Sequence, residues 1–292
     1  MTPKDAALAV LVMALWGANF VASKVALHAF SPMFLMTLRF AMVCALLLPF
    51  TRFPRAQWRG VAVLSTILGA VHFPLIFLGM QGVDAAVGAI VAQLQVPFSS
   101  LLAAALFKDY LGWRRALGMG LAFGGIVVIA GEPHGDSSIK HILFIVGAGF
   151  AFALANVQIK RIGPIDGFTL TAWMTFFALP QVALLSLMFE SGQVASLTAA
   201  TWENWAAMLY IAAGSSIIGY GIWYRLARTY DVNQTMPYLL LIPLFGVLSG
   251  VFMLGEPVTM GLTIGGAMTV GGVAVIMIRR PKTANPAAGS VT

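Results

Sequence analysis

Charge is what this chain has least of. Only 9% of its 292 residues are Asp, Glu, Lys or Arg, while 60% are hydrophobic, against about a quarter charged in an ordinary soluble domain. With a mean hydropathy of +0.90, a water-soluble globular enzyme is excluded. Cysteine is nearly absent too. Cys44 stands alone inside an apolar run, so one chain can build neither a disulfide nor a multi-thiolate metal site, and it reads as a small packed residue. The sequence also lacks HExxH, GxSxG and any Cys/His cluster at zinc spacing. No catalytic constellation is expected, and no cofactor or metal.

Acids are few and peripheral. Asp5, Asp84, Asp109, Glu132, Asp136, Asp166, Glu190, Glu203, Asp231 and Glu256 all fall at the edges of apolar runs or between them. Carboxylates inside the membrane are a common device for proton relays, so their absence argues against that form of coupling. The basic excess, 17 Lys and Arg over 10 acids, would suggest nucleic acid in a soluble protein. Here the charges flank apolar runs and read as topology signals instead, and no nucleic-acid partner is expected.

What fills the chain is apolar sequence in lengths that suit a bilayer, about 20 residues each. Runs lie near 7–26, 32–50, 60–80, 85–107, 114–131, 141–160, 168–189, 205–226, 234–254 and 259–278, which predicts ten transmembrane helices and no sizeable extramembrane domain. The first run follows Lys4 and imitates a signal peptide. It continues through Trp16 and Asn19 without a small-residue cleavage pattern, so it is read as a retained helix. With a cytoplasmic N-terminus, fourteen of the seventeen basic residues collect on the cytoplasmic side; Lys24 and Lys140 fall opposite and Arg39 within a span. The positive-inside rule thus predicts a multi-pass protein of the bacterial cytoplasmic (inner) membrane with both termini in the cytoplasm. Trp58, Trp113, Trp202 and Trp205 sit near span ends and read as interfacial anchors.

A shift of 147 residues aligns Ala122-Phe123-Gly124-Gly125-Ile126-Val127-Val128-Ile129 with Thr269-Val270-Gly271-Gly272-Val273-Ala274-Val275-Ile276. It also pairs Asp109 with Glu256, Asp84 with Asp231 and Gly118 with Gly265, while a shift of 137 pairs Asn19 with Asn156 and Lys24 with Arg161. The fold expected is therefore all-α and membrane-embedded, with one five-helix repeat over 1–131, a second over 141–280 and a cytoplasmic tail at 281–292. Because five is odd, the two repeats must be inverted relative to one another. Inverted repeats surround midplane binding sites in many transporters; a channel could be built the same way. Gly120 with Gly124, and Gly261 with Gly265, have the spacing that lets helices approach closely, which assigns spans five and ten to packing.

Polar and aromatic residues inside the spans are the candidates for a site. Arg39 is costly in lipid and must line a cavity, act in a gate or be paired structurally. His72 shares a helical face with Ser65, Gly69 and Ile76; it could touch substrate, carry a proton or remain a neutral core histidine. Gln93 and Gln95 precede Pro97, and Pro243 falls near the matching position of the other repeat. Proline frees a carbonyl that can line a cavity, and residues two apart point about 200° apart on a helix, so one glutamine, Gln93 for preference, is expected to face the pore. Asn19 and Asn156 occupy matching positions and could bind a zwitterion or tie helices together. Trp16, Tyr220 and Tyr238 could pack on substrate or on other helices.

Trp16-Gly17-Ala18-Asn19-Phe20 ahead of Lys24, Leu38-Arg39-Phe40, and Glu256-Pro257 before the last span, in a two-by-five inverted layout, resemble the EamA family of the drug/metabolite transporter superfamily across essentially the whole chain. They look most like its bacterial branch that exports amino acids and related metabolites. The resemblance implies a central cavity bordered by spans three, four, eight and nine. On this chain its lining would include His72, Gln93, Tyr220 and Tyr238, with Trp16, Asn19 and Asn156 nearby; the residues themselves, apart from the resemblance, give Arg39, Pro97 and Pro243 gating or structural roles. The function expected is alternating-access export of a small zwitterionic metabolite, by a chain for which a monomer is the working reading. A passive channel, or an exporter of drugs or other metabolites, is the alternative.

Overall fold

The computed structural model describes residues 1–107, 112–131, 139–230 and 232–277. Asp109, Asp231, Glu132, Asp136 and the 281–292 tail lie outside them. The described residues form helices joined by short connectors, ten of them long and apolar enough to cross a membrane: span 1 (Pro3–Leu27), span 2 (Pro32–Phe50), span 3 (Trp58–Met80), span 4 (Ala85–Leu106), span 5 (Trp113–Ala130), span 6 (Ile139–Ile162), span 7 (Gly167–Phe189), span 8 (Trp202–Trp223), span 9 (Pro237–Leu254) and span 10 (Met260–Met277). The hydropathy pattern anticipates each to within a few residues.

Local chemistry sets many of the ends. Pro3 and Pro32 occupy first-turn positions, where a missing N–H costs nothing. Asp166 caps span 7 through the Thr169 N–H, and Thr201 and Asn204 form a capping box at the start of span 8. Span 9 stops at Gly255, whose φ of +67° suits glycine. Two acids cap a helix of the other repeat instead of their own. Glu190 accepts hydrogen bonds from the Met33 and Phe34 N–H groups at the start of span 2 and from the Ser31 hydroxyl. Glu256, buried, accepts from the Ala85 and Ala86 N–H groups at the start of span 4 at 2.6 and 2.9 Å. Both sit where the helix dipole favours a carboxylate.

The spans pair as a two-fold relation between repeats requires. Span 5 packs on its equivalent, span 10, and span 2 on span 7; span 1 packs on spans 9 and 8, as span 6 packs on spans 4 and 3. Spans 5 and 10 meet backbone to backbone: a Cβ on Gly118 would come within 2.7 Å of the Gly272 carbonyl, and Gly125 is packed as tightly on Gly265. Gly118 and Gly265, like Gly125 and Gly272, are images under the 147-residue shift, so one contact is the rotated copy of the other. This corrects the expected packing glycines in span 5. Gly120 is exposed with open space beside it, and Gly124 touches only the far end of Met268. Seven-residue spacing, two helical turns on one face, carries the contact.

Three further differences from the sequence reading are local. The break at 190–204 contains a short helix, Gln193–Ala199. Trp58, Trp113 and Trp202 are exposed, as anchors would be, but Trp205 packs edge-on against Phe30, 5.1 Å between ring centres. Spans 3 and 8 widen into π-helical segments at Ser65–His72 and Tyr210–Gly219. These occupy equivalent positions in the two repeats, and such segments concentrate at functional sites.

Candidate functional site

Between the two repeats lies a cavity of about 670 Å³. It runs from Met80 and Ser23, in the second half of spans 3 and 1, to Arg115, Lys160 and Met277, at the start of span 5 and the ends of spans 6 and 10. Consecutive spans alternate in direction, so these last three residues share one end of the bundle, which is the basic end. At the opposite end, Lys24 donates a 2.7 Å hydrogen bond to the Val83 carbonyl and lies 3.8 Å from Asp84, tying span 1 to the connector between spans 3 and 4. The Glu190 and Glu256 caps, and an Asn204 side-chain N–H donated to the Val25 carbonyl, stitch the repeats together at that same end.

Six of the seven residues expected at the site lie on the wall: Trp16, Asn19, His72, Gln93, Asn156 and Tyr220. Tyr238 does not. It packs with Val12, Met13 and Trp223 beside the cavity. Gln95 lines the cavity together with Gln93, which corrects the expectation that one glutamine would face it. The reason is the 3-10 turn Ala92–Leu94 just before Pro97. At three residues per turn, a two-residue step is about 240°, bringing the pair nearer one face. Span 9 carries the matching turn, Met236–Leu240, before Pro243. Each proline deprives one carbonyl of its helical partner, that of Gln93 or Leu239, and both residues border the cavity.

His72 is buried, with Nδ1 2.8 Å from the Ala148 carbonyl of span 6 and its ring against Phe73 and Phe152. A carbonyl only accepts, so Nδ1 carries the hydrogen and Nε2 is the atom left for other work. Opposite, Trp16 donates its indole N–H to the Ser215 carbonyl at 3.1 Å and meets Tyr220 at a tilt and Trp223 edge-on, with ring centres 5.0 and 5.7 Å away. That approach requires Gly219, because a Cβ there would sit 2.7 Å from the indole nitrogen. Asn156 reaches the Ser99 hydroxyl at 3.4 Å. The Asn19 side-chain oxygen is buried and has no hydrogen-bond partner among the described residues, an acceptor left for water or a ligand.

Arg39 is buried to 6% exposure in span 2. Its Nε and Nη2 donate to the Ser216 hydroxyl at 3.2 and 2.9 Å, and its guanidinium lies 4.7 Å from the centre of the Phe73 ring. Wall residues that sequence reasoning missed include Phe152, Ser99, Ser215, Trp223, Arg115 and Lys160. For the two cations the signal was charge alone, since both belong to the basic cluster expected at one end of the bundle, although spans 5 and 6 were not among those expected to border the cavity. For the serines there was none.

The arrangement is a largely apolar chamber with a few fixed polar groups and a cationic mouth, the usual make-up of a small-molecule site. Comparison with known proteins points the same way. The model of the EamA-like transporter family matches residues 4–131 and 139–278, one match for each repeat. A probable amino-acid metabolite efflux pump of Salmonella typhimurium is 29% identical over 279 residues, covering 92% of this chain and 93% of that protein, and its Escherichia coli counterpart is 28% identical over the same shares. An uncharacterized transporter of Archaeoglobus fulgidus is 27% identical over 94% of this chain and 97% of its own. A crystal structure at 18% identity has the same fold, with a TM-score of 0.63 over 94% of this chain and 96% of that one.

Proposed function

The chain belongs to the EamA-like transporter family, a multi-pass integral membrane transporter and not an enzyme, and from that premise we propose that it exports amino acids or related small zwitterionic metabolites by alternating access. The observation that carries the proposal is the chamber at the junction of two inverted repeats, with a cationic mouth at one end and inter-repeat links at the other. Exchanging those two arrangements is what inverted repeats permit. Basic residues at the mouth support a bacterial inner-membrane protein with both termini in the cytoplasm; the present form is then open inward. Trp16, Asn19, His72, Gln93, Asn156 and Tyr220 form the binding wall, the unsatisfied Asn19 oxygen suits an ammonium group, and Pro97 and Pro243 weaken spans 4 and 9 where they must flex. The names of the relatives support amino-acid metabolites as cargo. A single copy holds the whole chamber.

Counterflow of a labelled panel including Thr, Met, Phe and Trp, in proteoliposomes with and without a pH gradient, tests this. Saturable uptake accelerated by unlabelled amino acid on the far side is expected. Flux that is unsaturable and indifferent to the far side would replace the carrier with a channel.

A further inference from the structure

Behind the main chamber lies a second one, of about 210 Å³, lined by apolar side chains that include Phe40, Val43, Leu64, Leu68 and Met174, with Thr171 and Thr175 also on its wall. Arg39, Phe73, Phe152, Asn156, Tyr220 and Trp223 border both chambers. The guanidinium thus sits on the partition between a polar vestibule and an apolar recess.

Its hydrogen bonds fix its orientation. The Ser216 hydroxyl gives its only proton to the Ile211 carbonyl at 2.8 Å, so toward Arg39 it can only accept, which holds Nε and Nη2 in place. Among the described residues Nη1 has no hydrogen-bond partner, and neither chamber carries an Asp or Glu on its wall. A buried cation in a membrane protein without an anion is an expensive arrangement, and a carboxylate from outside the chain relieves it. An arginine fork held along one edge binds a carboxylate with more directional strength than any amide on the wall can offer.

We propose that Arg39 anchors the carboxylate of the transported molecule and that the apolar recess takes its side chain, so that the class recognised is a small monocarboxylate with an apolar side chain, whether or not it carries an ammonium group. This rests on reading the main chamber as the transport site. The ammonium meets a neutral amide oxygen at best, whereas the carboxylate meets a fixed cation, and the carboxylate therefore dominates selection.

The experiment measures binding of leucine, 4-methylpentanoate, leucinamide and alanine to the full chain in nanodiscs, read from the fluorescence of the wall tryptophans Trp16 and Trp223 and checked by calorimetry. Leucine and 4-methylpentanoate are expected to bind comparably, with leucinamide weaker by about tenfold or more. In Arg39→Gln the preference of leucine over leucinamide should vanish, and in Arg39→Lys, which keeps charge but not the fork, it should shrink. Thr171→Phe, which crowds the recess, should weaken leucine relative to alanine. Each is a ratio within one variant and does not depend on how much of it folds. The inference is overturned if wild type binds leucinamide as well as leucine, if Arg39→Gln keeps the preference, or if neither acid binds. Counterflow in matching vesicles separates the two levels. Saturable exchange of amines or neutral drugs without acid binding removes Arg39's role and leaves the carrier standing, whereas no exchange of anything removes both.

Discussion

Across spans 5 and 10 the duplication survives at the level of single contacts. Gly118 against Gly272 and Gly125 against Gly265 are the same contact twice, and the Thr269 hydroxyl, which donates to the Gly265 carbonyl at 2.8 Å, also lies 3.3 Å from the carbonyl of its own image, Ala122. Across spans 3 and 8 the backbones still agree, with π-helical segments at matching positions, but the side chains have parted. His72 corresponds to Gly219 and Phe73 to Tyr220; His72 reaches out to a carbonyl of span 6 where Gly219 makes room for Trp16 of span 1. A helix pair whose task is close approach can satisfy both repeats with one solution. A wall that holds an asymmetric molecule cannot, because a molecule whose two ends differ offers nothing two-fold to bind.

The strongest way to break this comparison is to attack the symmetric contact. Gly125→Leu or its image Gly272→Leu should each destabilise the bundle by about 3 kcal/mol, the upper range for overpacking, and by similar amounts, read from thermal or denaturant unfolding in detergent. Gly120→Leu, in the same helix but facing open space, should change stability by less than about 0.5 kcal/mol. If Gly120→Leu proved as damaging as Gly125→Leu, the assigned packing face would be wrong.

The inter-repeat caps come next. Glu256→Ala leaves the Ala85 and Ala86 N–H groups buried without an acceptor, a loss of about 1–3 kcal/mol. Since the cap lies at the end opposite the mouth, impermeant thiol reagents should reach a cysteine introduced at Ser23, in the far half of the cavity, more readily from that side. Unchanged accessibility would separate the cap from gating.

On the wall, the expected order of effects reverses. His72→Ala should reduce exchange by about tenfold or more while shifting the unfolding midpoint less than Gly125→Leu does. Gly219→Ala, though a far milder change of size, should impair exchange as well, because the Trp16 indole must move and loses its bond to Ser215; quenching of tryptophan fluorescence would report the move. Tyr238→Phe should leave transport unaltered, because that ring packs outside the cavity, and a loss would return Tyr238 to the wall.

How much of this was legible in the sequence follows from what kind of interaction decides each feature. The ten spans were readable because a bilayer imposes length and apolarity on every one, and the repeat was readable because glycines and acids kept their register. The packing face of span 5 was not. Gly118, Gly120, Gly124 and Gly125 offer two competing spacings, and only the partner helix chooses between them. The π-helical segments leave no mark in composition, since they shift a hydrogen-bond ladder without changing which residues are apolar. Gln95 reaches the cavity because Pro97 permits a tighter turn than the ideal helix that spacing alone implies. The pairing of Arg39 with Ser216, 177 positions away, joins residues that no local pattern relates, and the recess behind it is a property of five helices together.

Alternating access requires the chamber to face one side at a time. The measurement that tests this most directly replaces buried Cys44 with serine, places a single cysteine at Ala92 on the cavity wall, and follows its modification by a membrane-impermeant thiol reagent added to either side of oriented vesicles. In the ligand-free protein the reagent should reach Ala92→Cys from the side of the basic end, and amino acid added to the other side should raise labelling from that side at the expense of the first. Equal labelling from both sides, unaffected by amino acid, would contradict alternating access and leave a pore through a two-fold bundle.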